Sequence, residues 1–259
     1  MPIARALFYF ATSLSLVGVG YSLATEPPPL AVAVAALVAY VALVTGGVLF
    51  SGFGMFADVL THGGSGARGV ALTFDDGPDP STTPRVLDAL DAANAKATFF
   101  LIGRKVDAHP ELAASIRARG HLVAVHGYEH ERLFSLRSPG HVRRDLERAI
   151  LAIERAIGVR PRLFRAPIGH VSPAMARVAD ALDLTIVGWS VRARDGLAGT
   201  TVDAVVRRIA PSLEDGAIVL LHDAAERGGF TPAGVLALPE LLAAAALKQL
   251  PCVRLDDWA

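Results

Sequence analysis

Histidine residues with metal-binding spacing follow one of the short apolar segments of this chain. His126 and His130 lie four residues apart, and on a helical turn both imidazoles would face the same side. Such a pair supplies two ligands for Zn²⁺ or a similar divalent ion. A catalytic zinc site needs a third protein ligand and a water molecule, so an acidic side chain at another strand end is expected to complete it.

Two adjacent aspartates, Asp75 and Asp76, follow a second apolar run. Neighbouring side chains at a strand end point in different directions, so one carboxylate is expected to bind the ion while the other acts as a base. A metal ion can lower the pKa of its bound water to about 7, which makes that water a nucleophile. His222 follows a third apolar run and is suited to protonate a leaving group, because histidine titrates near neutral pH.

Each of these motifs has a structural explanation when it is taken alone. Asp-Asp-Gly sequences favour turns, paired histidines occur on solvated helix faces, and His222-Asp223 could begin a helix. Their joint occurrence, each directly after an apolar run, favours one site. In parallel α/β folds the functional loops follow the carboxyl ends of the strands.

The elements that must position these residues alternate along the chain. Amphipathic segments, several of which begin at Ser-Pro or Thr-Pro pairs, separate short apolar runs. This alternation predicts a parallel α/β fold, and both an open doubly wound sheet and a barrel fit it. The seven predicted strands are residues 70–74, 97–102, 122–125, 162–164, 184–189, 217–221 and 252–255.

The N-terminal region differs from the rest of the chain, because only Arg5, Glu26 and Asp58 are charged among its first 60 residues. The uncharged segments 6–24 and 30–50 would each span roughly 30 Å as helices, the thickness of a bilayer core. We therefore expect a membrane hairpin in residues 1–60, a linker at 61–67 and a soluble domain at 68–259. A signal peptide cleaved near residue 24 is the alternative.

Charge and cysteine content narrow the function classes. The chain has 25 basic and 25 acidic residues, which argues against nucleic-acid binding. A single cysteine, Cys252, excludes an internal disulfide and a Cys-rich zinc module. Arg5 precedes the first apolar segment and Arg68 follows the second, whereas the loop between them carries Glu26. This distribution predicts an inner-membrane protein whose soluble domain faces the cytoplasm.

The motifs, in this order, resemble those of the polysaccharide deacetylases of the NodB homology domain, carbohydrate esterase family 4. The resemblance covers roughly residues 68–255 and implies an irregular (β/α) barrel of about seven parallel strands, which favours the barrel over the open sheet. The matching motifs are Thr73-Phe74-Asp75-Asp76-Gly77, His126-Gly127-Tyr128-Glu129-His130, Arg165-Ala166-Pro167 and Leu220-Leu221-His222-Asp223.

The resemblance also implies a role for each matching residue. It makes Asp75 the catalytic base, with Arg165 beside it, and His222 the general acid, oriented by Asp195. The implied metal ligands are Asp76, His126 and His130, and the implied substrate contacts are Pro167, Trp189 and Arg192.

Two motifs depart from the family pattern. Gly127 stands where the family usually has Ser or Thr, and in the fourth motif Arg192 and Gly196 replace an Asp and a Trp. The family's Trp walls the acetyl pocket, so the pocket of this chain is expected to be wider or differently lined. Arg192 would suit a phosphate-bearing substrate, although a solvated loop arginine fits the sequence equally well.

The expected function is that of a membrane-anchored carbohydrate de-N-acetylase that removes an N-acetyl group from an amino sugar. It is expected to carry one divalent ion, with zinc favoured over cobalt, nickel or manganese, and to contact lipid through the hairpin. One alternative is the same chemistry on a lipid-linked sugar or another small amide. A second is a catalytically silent sugar-binding module, against which the complete set of aspartates and histidines argues.

Overall fold

Two long apolar helices precede an α/β domain in the computed structural model, which describes residues 1–258. Helix α1 spans Ile3–Ala24 and helix α2 spans Leu30–Leu49, close to the segments expected from the sequence. Both are long and apolar enough to cross a membrane, a test that an N-terminal signal sequence also passes. Only Gly47 is buried in these two helices, as in helices whose apolar faces are not covered by the protein itself.

An eight-stranded parallel sheet forms the centre of the domain, and it confirms the predicted α/β fold. The strand order is β1-β6-β5-β4-β3-β2-β8-β7. The sheet curls into a half-barrel. His62, just past β1, forms an isolated bridge with Ala217, the residue before β8. The strands are β1 Val59–Leu60, β2 Ala71–Asp75, β3 Ala97–Leu101, β4 Leu122–Val125, β5 Leu163–Phe164, β6 Thr185–Val187, β7 Val191–Arg192 and β8 Ile218–His222.

Seven further α-helices lie in residues 50–258; six of them connect strands, and the last follows the final strand. The Ser-Pro pairs begin two of them as expected: the Ser138 and Ser172 hydroxyls accept N-terminal backbone N–H groups, and Gly158 ends the first in the left-handed conformation. The helices are α3 Thr83–Ala92, α4 Gly103–Ala108, α5 Pro110–Ala118, α6 Pro139–Ile157, α7 Pro173–Ala181, α8 Val202–Ile209 and α9 Ala233–Leu247. They bury the apolar sheet residues, including Phe74 and Phe99, whose rings stack with centroids 5.1 Å apart.

The strand inventory differs from the sequence prediction at three places. The predicted strand 252–255 forms only one bridge, between Val70 and Cys252, because the chain turns into a 3-10 helix at Leu255–Trp258. Strands β1 and β7 have two residues each, which is too short for a recognisable apolar pattern. Strand β1 also lies within the segment that the sequence assigned to the hairpin.

The segment formed by α1 and α2 contacts the domain at the end of α2. The Val171 N–H, in the loop after β5, donates to the Val48 carbonyl at 3.2 Å. Arg5 ties α1 to the following segment, because its guanidinium donates to the Gly54 carbonyl at 3.1 Å and pairs with Asp58 at 2.8 Å. The last turn of α2 is therefore fixed next to a loop that leaves the carboxyl end of the sheet.

Candidate active site

The residues singled out in the sequence meet at the carboxyl ends of β2, β4 and β8. Asp75 ends β2 and lies in register with His222, the last residue of the neighbouring strand β8. His126 directly follows β4, which is separated from β2 only by β3. Parallel strands thus bring together groups that are up to 147 positions apart in the chain (222 minus 75).

Asp76, His126 and His130 form a buried cluster whose ligand atoms all lie within 4.8 Å of one another. Asp76 Oδ1 is 3.5 Å from His126 Nε2 and 3.2 Å from His130 Nε2. Among residues 1–258 this carboxylate oxygen has no hydrogen-bond partner, although it is buried. An orphaned carboxylate facing two imidazole nitrogens fits the donor set of a divalent ion such as zinc.

The two imidazoles converge through a loop, so the helical turn that their spacing suggested is wrong. Residues 126–130 contain no helix, and both Gly127 (φ +80°) and His130 (φ +55°) adopt left-handed backbone conformations. His126 Nδ1 lies 2.8 Å from the Arg165 carbonyl and donates to it, which leaves Nε2 free toward the cluster. Burial keeps the pKa of His126 below its ordinary value, so the imidazole is neutral, as metal binding requires.

Asp75 is the neighbour of this cluster and is paired with a buried arginine. Its Oδ1 accepts from Arg165 Nη1 at 2.7 Å, and its Oδ2 lies 3.7 Å from His126 Nε2. The same guanidinium donates to the Thr73 hydroxyl and to the Gly188 carbonyl, each at 2.8 Å. Burial opposes ionisation of Asp75, but Arg165, together with His126 and His222, outweighs it and holds the pKa below the usual value. Asp75 is therefore a carboxylate at neutral pH.

His222 is held by Asp195 on the other side of the site. Asp195 is fully buried, and its two oxygens accept from the His222 backbone N–H at 2.8 Å and from Nδ1 at 3.0 Å. Burial lowers the pKa of His222, but the carboxylate of Asp195, together with those of Asp76 and Asp75, outweighs this effect and raises that pKa to about 9. The imidazole is thus protonated at neutral pH, and its Nδ1 faces Asp195.

This pairing predicts a shift in the pH dependence of turnover for Asp195→Asn. A group that acts in its protonated form loses activity as the pH rises through its pKa, and the Asp195 carboxylate keeps the pKa of His222 high. The substitution should therefore move the alkaline limb of the pH–rate profile to lower pH. An alkaline limb at the same pH in the variant and the wild type would show that Asp195 does not set the protonation of His222.

The predicted substrate-binding residues lie close to Arg165. Pro167 begins a 3-10 turn, Pro167–Gly169, and the Trp189 ring packs directly on Gly169. The Trp189 ring centroid is 5.9 Å from the Arg165 guanidinium carbon and 5.8 Å from that of Arg192. Trp189 therefore contacts the turn that Pro167 begins and lies near Arg192, which is exposed.

Gly196 has a structural reason to lack a side chain. A Cβ atom at this position would lie 2.9 Å from the imidazole ring of His222, closer than real Cβ contacts allow. The backbone at Gly196 thus packs against the general-acid candidate, and a tryptophan there would require a different loop path.

Sequence reasoning missed several groups that hold the site loops in place. The Asp145 carboxylate, on α6, accepts from the backbone N–H groups of Tyr128 and Glu129 at 2.8 and 3.1 Å. Lys105, on α4, donates to the carbonyls of Asp76 and Ala225 at 2.7 and 3.0 Å. These residues lie inside helices and belong to no recognisable motif, so only spatial proximity reveals them.

Known proteins resemble this chain in sequence and in fold. Residues 62–187 match the polysaccharide deacetylase family. A chitooligosaccharide deacetylase of Sinorhizobium fredii is 40% identical over 165 residues, which cover 62% of this chain and 74% of that protein.

Two solved structures share the fold. One is a peptidoglycan N-acetylglucosamine deacetylase in complex with an N-hydroxybenzamide derivative (TM-score 0.71, 29% identity, 76% of this chain and 91% of that one). The other is a family 4 pseudoenzyme from Bacillus anthracis (TM-score 0.69, 25% identity, 76% and 67%). The chain therefore belongs to the polysaccharide deacetylases of carbohydrate esterase family 4, a family of metal-dependent carbohydrate deacetylases.

Proposed function

We propose that this protein hydrolyses the N-acetyl group of an amino sugar, using one divalent ion held by Asp76, His126 and His130. The observation that carries the proposal is the orphaned Asp76 oxygen, which faces two imidazole nitrogens at 3.2 and 3.5 Å. An ionised aspartate, Asp75, and a protonated histidine, His222, lie at the adjacent strand ends. These are the base and the acid that amide hydrolysis needs.

Each side chain then has one task in the reaction. When bound, the ion supplies a Lewis acid for the amide carbonyl and lowers the pKa of a water molecule. Asp75 accepts the proton of the attacking water, and Arg165 keeps Asp75 ionised before the reaction. His222 gives a proton to the amide nitrogen as the carbon–nitrogen bond breaks, while Asp195 holds the imidazole in position. The products are acetate and a free amine.

Zinc is the proposed resident ion. Two neutral imidazole nitrogens and one carboxylate oxygen form the three-ligand set of many hydrolytic zinc sites. Cobalt, nickel and manganese accept the same donors, so they are expected to support turnover to different degrees.

We further propose that α1 and α2 anchor the protein in the inner membrane with the catalytic domain on the cytoplasmic side. The positions of Arg5, Arg68 and Glu26 support this orientation. The contact between Val48 and Val171 supports a substrate near the membrane, because Val171 is only six residues from Arg165. Six residues span at most about 20 Å, so Val171 lies within that distance of Arg165. Because the domain is proposed to face the cytoplasm, a lipid-linked or soluble amino sugar is favoured over mature wall polymer.

A reporter fused after residue 259 tests the orientation. We expect a fluorescent cytoplasmic reporter to be bright and alkaline phosphatase at the same position to be inactive, since that enzyme requires export. Strong phosphatase activity with a dark fluorescent fusion would place the domain outside and favour wall polymers.

The substrate class is tested by acetate release from the full-length protein in detergent, loaded with zinc. Chitooligosaccharides, peptidoglycan fragments and undecaprenyl-linked N-acetylamino sugars form the panel. We expect acetate from at least one member, with the highest kcat/KM on the lipid-linked substrate. A preference for peptidoglycan would contradict the proposed orientation, and release from none would contradict the proposed activity.

A further inference from the structure

We propose that Glu226 is a positioning residue that orients the His130 imidazole for metal binding, an inference that rests on the proposed metal site. Glu226 lies in the loop after β8, outside every motif that the sequence comparison identified. It faces the His130 ring nitrogen opposite to the one that faces Asp76.

The orientation of His130 creates the need for such a partner. Its Nε2 faces Asp76 Oδ1 at 3.2 Å, so its Nδ1 points away from the metal cluster. Nδ1 is buried and makes no hydrogen bond within residues 1–258, although Glu226 Oε1 lies 3.5 Å from it. A shift of about half an ångström would bring this pair to ordinary hydrogen-bond length. A metal at Nε2 fixes the imidazole proton on Nδ1, which then faces the carboxylate.

Glu226 is itself held in place by two arginines. Arg132 Nη2 donates to Oε2 at 2.9 Å, Arg132 Nε lies 3.2 Å from both carboxylate oxygens, and Arg227 Nε lies 3.2 Å from Oε1. The carboxylate is therefore a fixed acceptor.

The Nδ1 atoms of the two histidines in the cluster face different kinds of acceptor. His126 donates to the neutral Arg165 carbonyl at 2.8 Å, whereas His130 faces a charged carboxylate. A carboxylate behind a ligating histidine fixes the ring and raises the basicity of the ligating nitrogen. Because Glu226 is four residues from His222, it also links the metal ligand to the loop that follows the acid candidate.

Glu226→Gln tests the proposal, with Glu129→Gln as the matched control. Glu129 lies in the same loop as His130, but its exposed carboxylate pairs with Arg148 at 3.6 Å and not with a histidine. Zinc affinity is measured by chelator competition on the full-length protein in detergent. We expect Glu226→Gln to weaken zinc binding by about 10–100-fold, the usual effect of losing such a partner, and Glu129→Gln to leave it unchanged.

Spectroscopy distinguishes a changed orientation of the His130 ligand from a general loss of structure. The visible absorption of the Co²⁺-substituted protein should change in Glu226→Gln and remain unchanged in Glu129→Gln. Unchanged zinc affinity and an unchanged Co²⁺ spectrum in Glu226→Gln would overturn the proposal.

A measurement on the wild-type protein covers the case in which Glu226→Gln does not fold. Imidazole ¹⁵N NMR of the zinc-loaded protein should show a protonated His130 Nδ1 with a strongly downfield proton. A metal-bound Nδ1, or a His130 proton without that shift, would overturn the proposal. Zinc binding that depends on Glu226 without acetate release would instead refute the proposed function alone.

Discussion

Purified His126→Ala protein should contain no stoichiometric metal and should show no measurable turnover. The substitution removes one of three protein ligands, and two buried ligands cannot hold a divalent ion in a hydrolytic site of this type. It also leaves the Arg165 carbonyl without its imidazole donor. Metal content by inductively coupled plasma mass spectrometry and acetate release on the same sample measure both effects.

His109→Ala is the matched control for this experiment, because His109 lies at the surface between α4 and α5. It should retain about one ion per chain and wild-type turnover. Full activity of His126→Ala, or of the wild-type protein after exhaustive chelation, would contradict the metal assignment.

Asp75→Asn should keep the ion but lower kcat by about 10²–10⁴-fold, the usual contribution of a general base. The amide cannot accept the water proton, yet its oxygen can still accept the Arg165 hydrogen bond. Asp76→Ala should behave differently, because the orphaned oxygen that faces both imidazoles disappears and metal affinity falls. Metal titration and kcat, measured on both variants, separate the two aspartates.

Thermal unfolding is the control for the two aspartate variants, since Asp75 is the charge partner of the fully buried Arg165. A lowered Tm of Asp75→Asn would show that part of the loss of turnover comes from a less stable fold. Asp75→Glu, which keeps the charge, would then be the comparison. If the metal content falls for Asp75→Asn and not for Asp76→Ala, the roles of the two carboxylates are reversed.

The strands that carry the site could be predicted because they are buried on both faces. Strands β2, β3, β4 and β8 read as continuous apolar runs, which is typical of parallel strands covered by helices. Strands β1 and β7 give no such signal, because two residues cannot establish a pattern. The incomplete closure of the barrel also depends on these edge strands and could not be predicted.

The composition of the metal cluster was visible in the sequence, but its geometry was not. The four-residue spacing of His126 and His130 suggested a helical turn, whereas the structure uses a loop with two left-handed residues. Gly127 permits this loop, because a Cβ atom there would crowd Asp145 Oδ1 at 3.2 Å. The supporting residues Lys105 and Glu226 contact Asp76 and His130, from which they are distant in the sequence. Residue order alone therefore gives no indication of them.

The similarity to a pseudoenzyme keeps the silent sugar-binding alternative in view, because the Bacillus anthracis protein shares the fold at a TM-score of 0.69. Fold therefore does not by itself distinguish an active site from a silent one. The side chains of this chain favour activity: Asp75 keeps its Arg165 partner, and His222 keeps Asp195.

Acetate release during zinc titration of the metal-free, full-length protein is the decisive measurement for the proposed metal-dependent hydrolysis. With its preferred N-acetylated amino sugar, the protein should release no acetate without metal. Turnover should rise in proportion to added zinc and level off at about one equivalent per chain, as expected for a mononuclear site. Zinc binding at one equivalent with no acetate from any substrate, or acetate release that does not depend on zinc, would contradict the account.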